Sequence, residues 1–184
     1  YSELFPKIGE VRTWDLGDGD ATFMEGVEDN SYDFVHSSHC LEHLEDPEVG
    51  LKNWFRILKP HGYLIVTVPD EDLYEQGVFP STFNTDHKCT FTISKKESWS
   101  TNSINIFDIL PSLGEAAEVV KVELLNHAYR YVLPRFDQTL TPVAEAGIEF
   151  VVRKRPQEEV AFCGMHKHPG EVDGKLFQLL TTTK

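Results

Sequence analysis

Between residues 31 and 70 the hydrophobic pattern of this chain changes its period twice. Ser31–Ser37 is short and rich in strand-forming side chains, which predicts a β-strand. The apolar residues that follow recur at i, i+3, i+4 and i+7, the spacing of one helix face: Leu51, Trp54, Phe55 and Leu58. Tyr63–Val68 is a nearly continuous apolar run, as expected of a strand buried on both faces of a parallel sheet. The order strand, helix, strand predicts a right-handed βαβ crossover.

Cap and turn residues bound the predicted helix at both ends. Asp46 is a suitable N-cap, because its carboxylate can accept a hydrogen bond from a first-turn N–H group, and Pro47 suits the first helical position. Pro60, His61 and Gly62 then separate the helix from the second strand.

The flanking sequence predicts further elements. Ile104–Leu113 has helical periodicity, with four inward apolar residues that precede Gly114: Ile106, Ile109, Leu110 and Leu113. Strand patterns occur in four other segments: Val11–Leu16, Val119–Leu125, Tyr129–Leu133 and Gly147–Arg153.

Composition narrows the classes of function. The chain of 184 residues is 40% hydrophobic, which fits one globular domain. Its formal net charge of −13 argues against a nucleic-acid partner, because phosphates bind clustered Lys and Arg. Three widely spaced cysteines, Cys40, Cys89 and Cys163, favour a reducing compartment over a disulfide framework. No apolar run approaches the ~20 residues that span a bilayer, so we expect a cytoplasmic protein.

Two groups of histidine and cysteine suggest a metal interpretation. The first contains His36, His39, Cys40 and His43, and the second contains Cys163, His166 and His168. An i, i+4 histidine pair such as His39 and His43 can bind zinc on one helical face. The H-E-x-x-H order of zinc proteases is absent, however, and we expect no metal site.

The motifs of residues 33–70 resemble those of a known enzyme family. The sequence D-F-V-H-S-S-H-C-L-E-H-L is followed by the amphipathic helix, then by L-K-P-H-G and L-I-V-T-V-P-D. Together they resemble the fourth and fifth strands of the class I S-adenosylmethionine-dependent methyltransferases, in their type 11-like group. His61 stands where that family has the first of two glycines. The resemblance implies a Rossmann-like α/β fold whose mostly parallel sheet has an antiparallel last strand.

The resemblance also implies S-adenosylmethionine as the cofactor, with S-adenosylhomocysteine as the product. Gly19, Asp20 and Ala21 match the end of the family's third strand, where the acidic residue lies by the adenine amino group. A plain tight turn of Gly and Asp is the alternative. Open α/β sheets bind ligands at the carboxyl ends of their strands. The cofactor is therefore expected beside the residues that end or follow the first strand of the βαβ unit: Ser37, Ser38, His39 and His43.

The family's glycine-rich loop has no match at its expected place. Asp15 lies only 18 positions before Asp33, whereas one βαβ unit alone needs ~30 residues. We expect an N-terminally incomplete domain, because a sheet without its central strand would leave an inner edge unpaired. A degenerate fold is the alternative.

Residues 71–103 form a long excursion after the second strand of the unit. Its aromatic residues disfavour disorder, and loops of this length are usually functional. In the family, this insertion often builds the acceptor pocket, which implies five acceptor-side residues: Tyr74, Phe83, Asn84, Asp86 and His87. Thr90–Ile93 predicts a short strand that closes over the pocket. A purely structural lid is the alternative.

The expected chemistry is in-line attack on the sulfonium methyl, helped by positioning and by exclusion of water. A hydroxyl acceptor needs a general base, and His87 or His39 is the candidate because histidine titrates near neutral pH. Asp70 or Asp86 is the candidate that orients the base. An amine or carboxylate acceptor needs no base.

We predict methyl transfer to a small-molecule or glycan acceptor by residues 1–155, with 71–103 as an acceptor-side insertion or lid and 156–184 as a polar tail. The first alternative is a non-catalytic interaction or assembly module that forms a homodimer through an exposed sheet edge. The second is a metal-dependent hydrolase built on the histidine clusters. We expect neither a nucleic-acid partner nor a membrane span.

Overall fold

A four-stranded sheet forms the centre of the chain. The computed structural model describes residues 9–139 and 144–164. Within them the strands are β1 (Tyr32–Ser38), β2 (Leu58–Pro69), β3 (Thr90–Thr92), β4 (Ser103–Asn105), β5 (Ala117–Leu125) and β6 (Gly147–Lys154). The helices are α1 (Pro47–Arg56), α2 (Ile106–Ile109) and α3 (Gln157–Ala161). The central sheet has the order β1-β2-β6-β5, while β3 and β4 form a separate parallel pair.

The βαβ unit is confirmed. Strands β1 and β2 pair in parallel, and α1 connects them. The Asp46 carboxylate accepts a hydrogen bond from the Val49 N–H group at 3.0 Å, and Pro47 is the first helical residue. Helix α1 ends at Arg56, two residues earlier than the apolar spacing indicates, so Leu58 begins β2.

Strand β6 runs antiparallel to both of its neighbours, β2 and β5. Three strands of the sheet therefore share one direction and the last strand opposes them, as predicted. Within the described ranges, β1 pairs only with β2, so its second edge carries no strand from this part of the chain.

The core lies where β2 and β6 are covered by helices. Alternate residues of the two strands are fully buried, namely Leu64, Val66, Val68, Ile148, Phe150 and Val152. The predicted face of α1 packs against this cluster through Leu51, Trp54 and Phe55. The inward residues predicted for 104–113 are divided between α2 and a 3₁₀ turn, Leu110–Leu113, that ends at Gly114 with φ of +79°.

Two predicted strands are wrong. Tyr129–Leu133 forms hydrogen-bonded turns, in which the Leu133 N–H group donates to the Arg130 carbonyl, and Val132 is 94% exposed. Val11–Leu16 is irregular and runs into a 3₁₀ turn, Leu16–Asp18, because Asp15 and Asp18 cap each other's backbone. In both segments strand-forming side chains lack a neighbouring strand, which is what gives such propensity its effect.

The excursion 71–103 folds around one buried carboxylate, which follows directly after β2. Glu71 is fully buried in the π-helical turn Glu71–Glu75. It accepts hydrogen bonds from one ammonium and three hydroxyl groups, which belong to Lys95 (2.6 Å), Ser98 (2.8 Å), Thr90 (3.1 Å) and Ser103 (2.5 Å). Residues from across the excursion and from β4 therefore meet at one side chain, and the predicted strand at 90–93 is confirmed as β3.

The tail predicted from residue 156 begins with α3, and residues 165–184 lie outside the described part. Helix α3 is tied back to β6, since the guanidinium group of Arg153 donates to Glu159 at 3.2 Å. The boundary between residues 155 and 156 stays a prediction.

Replacing Glu71 tests its role in holding the excursion. We expect Glu71→Ala to lower the free energy of unfolding by about 3 kcal/mol, because four buried or half-buried donors lose their acceptor. Urea denaturation of both proteins measures the change. Glu97→Ala, at an exposed glutamate of the same excursion, is the control and should change stability by less than about 0.5 kcal/mol. Equal effects of the two substitutions would contradict the proposed role.

A second substitution tests the position at which this chain departs from the family motif. His61 has φ of +68°, in the left-handed region that favours glycine. We expect His61→Gly to raise the free energy of unfolding by about 0.5–1 kcal/mol. His61→Ala is the control, because it removes the imidazole but keeps a Cβ, so it should not stabilise. A gain of equal size with alanine would contradict backbone strain as the cause.

Candidate functional site

A cavity of about 470 Å³ opens at the carboxyl edge of the parallel strands. It lies beside the ends of β1, β2 and β5 and the start of the antiparallel β6. Side chains from all of these regions line it, among them His39, Thr67, Tyr74, Leu125, His127 and Gln138. This is the edge at which open α/β sheets bind their ligands.

His39 enters the cavity because the chain turns sharply after β1. Its φ is +53°, and its N–H group donates to the Thr67 carbonyl of β2 at 2.9 Å. The chain then forms a 3₁₀ turn, Leu41–His43, that buries Leu41 and Glu42 completely. The His39 side chain stays 47% exposed, so its imidazole is accessible from the cavity.

Three histidines of the predicted site meet at the base of this turn. His43 Nδ1 lies 3.0 Å from an Asp86 carboxylate oxygen, and His87 Nδ1 lies 2.5 Å from Glu75 Oε1. The His43 and His87 rings are 4.9 Å apart in an edge-to-face arrangement. The Tyr74 ring lies between those of His87 and His39. Its centre is 5.3 Å from that of His87 and 6.2 Å from that of His39. The structure therefore brings together five predicted site residues, which the sequence places up to 48 positions apart: His39, His43, Tyr74, Asp86 and His87.

The two other acceptor-side residues border this cluster. Burial raises the pKa of the Tyr74 hydroxyl, and the Asn84 side chain opposes that shift. The Phe83 ring lies under the Arg135 guanidinium, at 5.1 Å. The Lys88 N–H group donates to the Glu42 carbonyl at 2.8 Å, which fixes the excursion to the turn that follows β1.

Asp70 is placed differently from the prediction that it orients the histidine base. Its carboxylate caps the turn after β2, where it accepts hydrogen bonds from the Asp72 and Leu73 N–H groups at 3.0 Å each. Glu75 occupies the orienting position beside His87, and Asp86 occupies it beside His43. Glu75 was not among the predicted site residues. The signal for it was the i, i+4 spacing of Glu71 and Glu75 in a turn that faces the core.

The predicted adenine-side residues form a tight turn packed on α1. The Trp54 indole N–H group donates to the Ala21 carbonyl, and the Asn53 amide donates to the Thr22 carbonyl, both at 2.9 Å. The Asp20 carboxylate is exposed, and its pKa is held below the ordinary value first by the Thr22 side chain and then by the Thr22 N–H group, which donates to it at 2.8 Å.

This turn lies at the same edge as the end of β1. Burial raises the pKa of the Cys40 thiol, and the negative charges of Glu42 and Asp20 add to that effect. Ser37 and Ser38 end β1 just before Cys40. The exposed Asp20 carboxylate thus has the chemistry to accept a hydrogen bond from an adenine amino group. In residues 9–139 and 144–164, no glycine-rich loop follows a strand to hold the cofactor's amino-acid end.

The fold is that of a class of methyltransferases. A candidate methyltransferase from Bacillus halodurans superposes with a TM-score of 0.52 at 14% identity, covering 84% of this chain and 86% of that one. An S-adenosylmethionine-dependent methyltransferase from Thermotoga maritima, described as a possible histamine N-methyltransferase, is 26% identical with a TM-score of 0.47. That match covers 74% of this chain and 62% of the Thermotoga protein. The present chain therefore spans about three fifths of the length of the Thermotoga protein.

The sequence agrees with the fold. Residues 7–66 match the family model described as "Methyltransferase domain". A comparison with curated protein sequences gives no significant match. The predicted resemblance to the class I methyltransferases is confirmed by this match over residues 7–66 and by the shared fold. The helices of the described residues are all too short or too polar to cross a membrane.

The position of Asp70 generates a pH-dependent prediction. Burial raises the pKa of Asp70 from 3.8 to about 6, although two N–H groups oppose the shift. The folded state therefore holds a proton that the unfolded state releases from about pH 4, so this group costs stability progressively between pH 4 and 6. We expect Asp70→Asn to raise the free energy of unfolding by about 2 kcal/mol at pH 8 and to change it little at pH 4.

Urea denaturation at the two pH values measures this difference. Asp72→Asn is the control with the opposite sign. Burial raises the pKa of Asp72, but hydrogen bonds from Lys95 and Trp99 outweigh it and lower the pKa overall. This variant should lose stability at pH 8. A pH-independent effect of Asp70→Asn would contradict the prediction.

Proposed function

We propose that this chain transfers a methyl group from S-adenosylmethionine to a small-molecule or glycan acceptor bound in the cavity at the carboxyl edge of the sheet. The observation that carries the proposal is the cavity's place between His39, in the turn after β1, and Tyr74, the one predicted acceptor-side residue in its lining. Its volume of about 470 Å³ falls in the range of small-molecule sites, roughly 300–1,000 Å³.

The cofactor implied by the family fits the described residues at its adenine end. Asp20 would accept the adenine amino group, and the turn that carries it is fixed by Trp54 and Asn53. When bound, S-adenosylmethionine supplies a methyl group already activated on a sulfonium sulfur, so the protein needs to position the acceptor and exclude water.

His39 is the better of the two predicted bases. Its imidazole is half-exposed and lines the cavity, where it can take the proton that a hydroxyl acceptor loses. The His87 side chain is 1% exposed and is held by Glu75, so it supports the cavity floor rather than reaching an acceptor. The acidic composition makes nucleic acid the weaker choice of acceptor.

Two further features belong to the proposal. The cysteines Cys40, Cys89 and Cys163 are free thiols, which favours a reducing, cytoplasmic setting. A homodimer, which belongs to the non-catalytic alternative, would form through the second edge of β1, which pairs with no strand of the described residues.

Cofactor binding tests the proposal directly. At about 100 times its dissociation constant, S-adenosylhomocysteine should add about 2.7 kcal/mol of stability and raise the thermal midpoint of the 184-residue chain by several degrees. We expect Asp20→Asn to reduce this shift strongly, because an amide is a weaker acceptor than a carboxylate. Asp18→Asn, at the exposed aspartate two positions earlier, in the preceding 3₁₀ turn, is the control and should keep the shift.

No shift in the parent chain would overturn methyl transfer by this polypeptide alone and favour the non-catalytic alternative. An equal loss in both variants would contradict the assignment of Asp20.

A further inference from the structure

The carboxylate of Glu42 has no hydrogen-bond donor. The side chain is fully buried, and neither of its oxygens accepts a hydrogen bond from the described residues. His39 Nδ1 approaches Oε1 to 3.4 Å without the geometry of a hydrogen bond. A buried carboxylate in this condition is costly unless a cation balances it. Glu71, the comparable carboxylate nearby, is balanced by Lys95.

Two imidazole nitrogens face the same oxygen. His43 Nε2 lies 3.9 Å from Glu42 Oε1, and His87 Nε2 lies 4.0 Å from it. These separations are too long for hydrogen bonds. They are within the about 4.2 Å that two ligands can span when each binds one ion at about 2.1 Å. Ligand atoms of the three residues all lie within 4.8 Å of one another.

The other ring nitrogen of His43 and of His87, Nδ1, is paired with a second carboxylate. Asp86 pairs with His43 Nδ1 and Glu75 pairs with His87 Nδ1. A carboxylate at Nδ1 favours the tautomer that carries its proton there, which leaves the Nε2 lone pair directed at Glu42. Metal-binding histidines are held in this way, by a carboxylate on the nitrogen that does not bind the ion.

We propose that Glu42, His43 and His87 bind a divalent transition-metal ion of the zinc class. Two imidazoles and one carboxylate are the ligand set that such an ion prefers, and they supply the missing counter-charge to Glu42. The site lies beside the cavity, because Tyr74 contacts the His87 ring and also lines the cavity. The predicted absence of a metal rested on the sequence order near His39, and His87 comes to the cluster from the excursion.

Zinc binding tests the site without any measurement of methyl transfer, so its failure is distinguishable from failure of the proposed function. The background protein carries Cys163→Ser, His166→Gln and His168→Gln, which removes the other candidate cluster. We expect it to bind one equivalent of Zn²⁺ by calorimetry, with a higher thermal midpoint. Co²⁺ in its place should give the visible absorption of a nitrogen- and oxygen-coordinated ion.

The substitution Glu42→Gln distinguishes a metal site from a buried carboxyl group that binds no metal. Without metal it should unfold at a higher temperature than the background, because the uncompensated charge is gone, yet its zinc affinity should fall at least 100-fold. Asp86→Asn should weaken zinc about 10–100-fold by releasing the His43 tautomer. His127→Gln, at a histidine that lines the cavity outside the cluster, is the control and should bind zinc normally.

Absence of stoichiometric zinc binding in the background protein would overturn the proposal. Unchanged zinc affinity in Glu42→Gln would also overturn it, since any bound ion would then lie elsewhere.

Discussion

The compensation of buried carboxylates is the constraint on which the rest of this structure depends. Glu42, Glu71 and Glu75 are buried at the carboxyl edge of the sheet, where an unpaired ionised group costs several kcal/mol. Glu71 meets this cost with an ammonium and three hydroxyls from residues 90–103, and Glu75 meets part of it with His87. Because Glu71, Glu75 and these partners all belong to the excursion, folding the excursion and satisfying these charges are one event.

The parallel pairing of β1 and β2 explains why the charges lie together. Both strands end at the same edge, so the turn with Glu42 and the turn with Glu71 and Glu75 become neighbours although some 30 residues separate them. The excursion that leaves β2 then crosses in front of β1, where Lys88 bonds to the backbone of Glu42. The acceptor side is thus built from the two halves of one βαβ unit.

Local sequence signals were sufficient to predict the βαβ unit, but not the pairing of the ionisable side chains beside it. Apolar spacing and the Asp46–Pro47 cap act within one helical turn, so α1, β1 and β2 could be identified from the sequence. The same kind of evidence misled at Tyr129–Leu133, because strand propensity takes effect only beside another strand. Comparison with the family motif was sufficient to predict that His39, His43 and His87 are site residues. The pairing of His87 with Glu75 and of His43 with Asp86 could not be predicted, because it depends on how the excursion packs.

The described residues support one border of the expected cofactor site more firmly than the other. The turn at Asp20 is rigidly supported by two side chains of α1, whereas no strand of these residues pairs with the second edge of β1. In a sheet of this topology that edge adjoins the ligand-binding crevice, so whatever pairs with β1 also borders the cofactor. Cofactor affinity should therefore depend on the occupancy of the β1 edge, whereas the acceptor side, fixed by its buried carboxylates, should not.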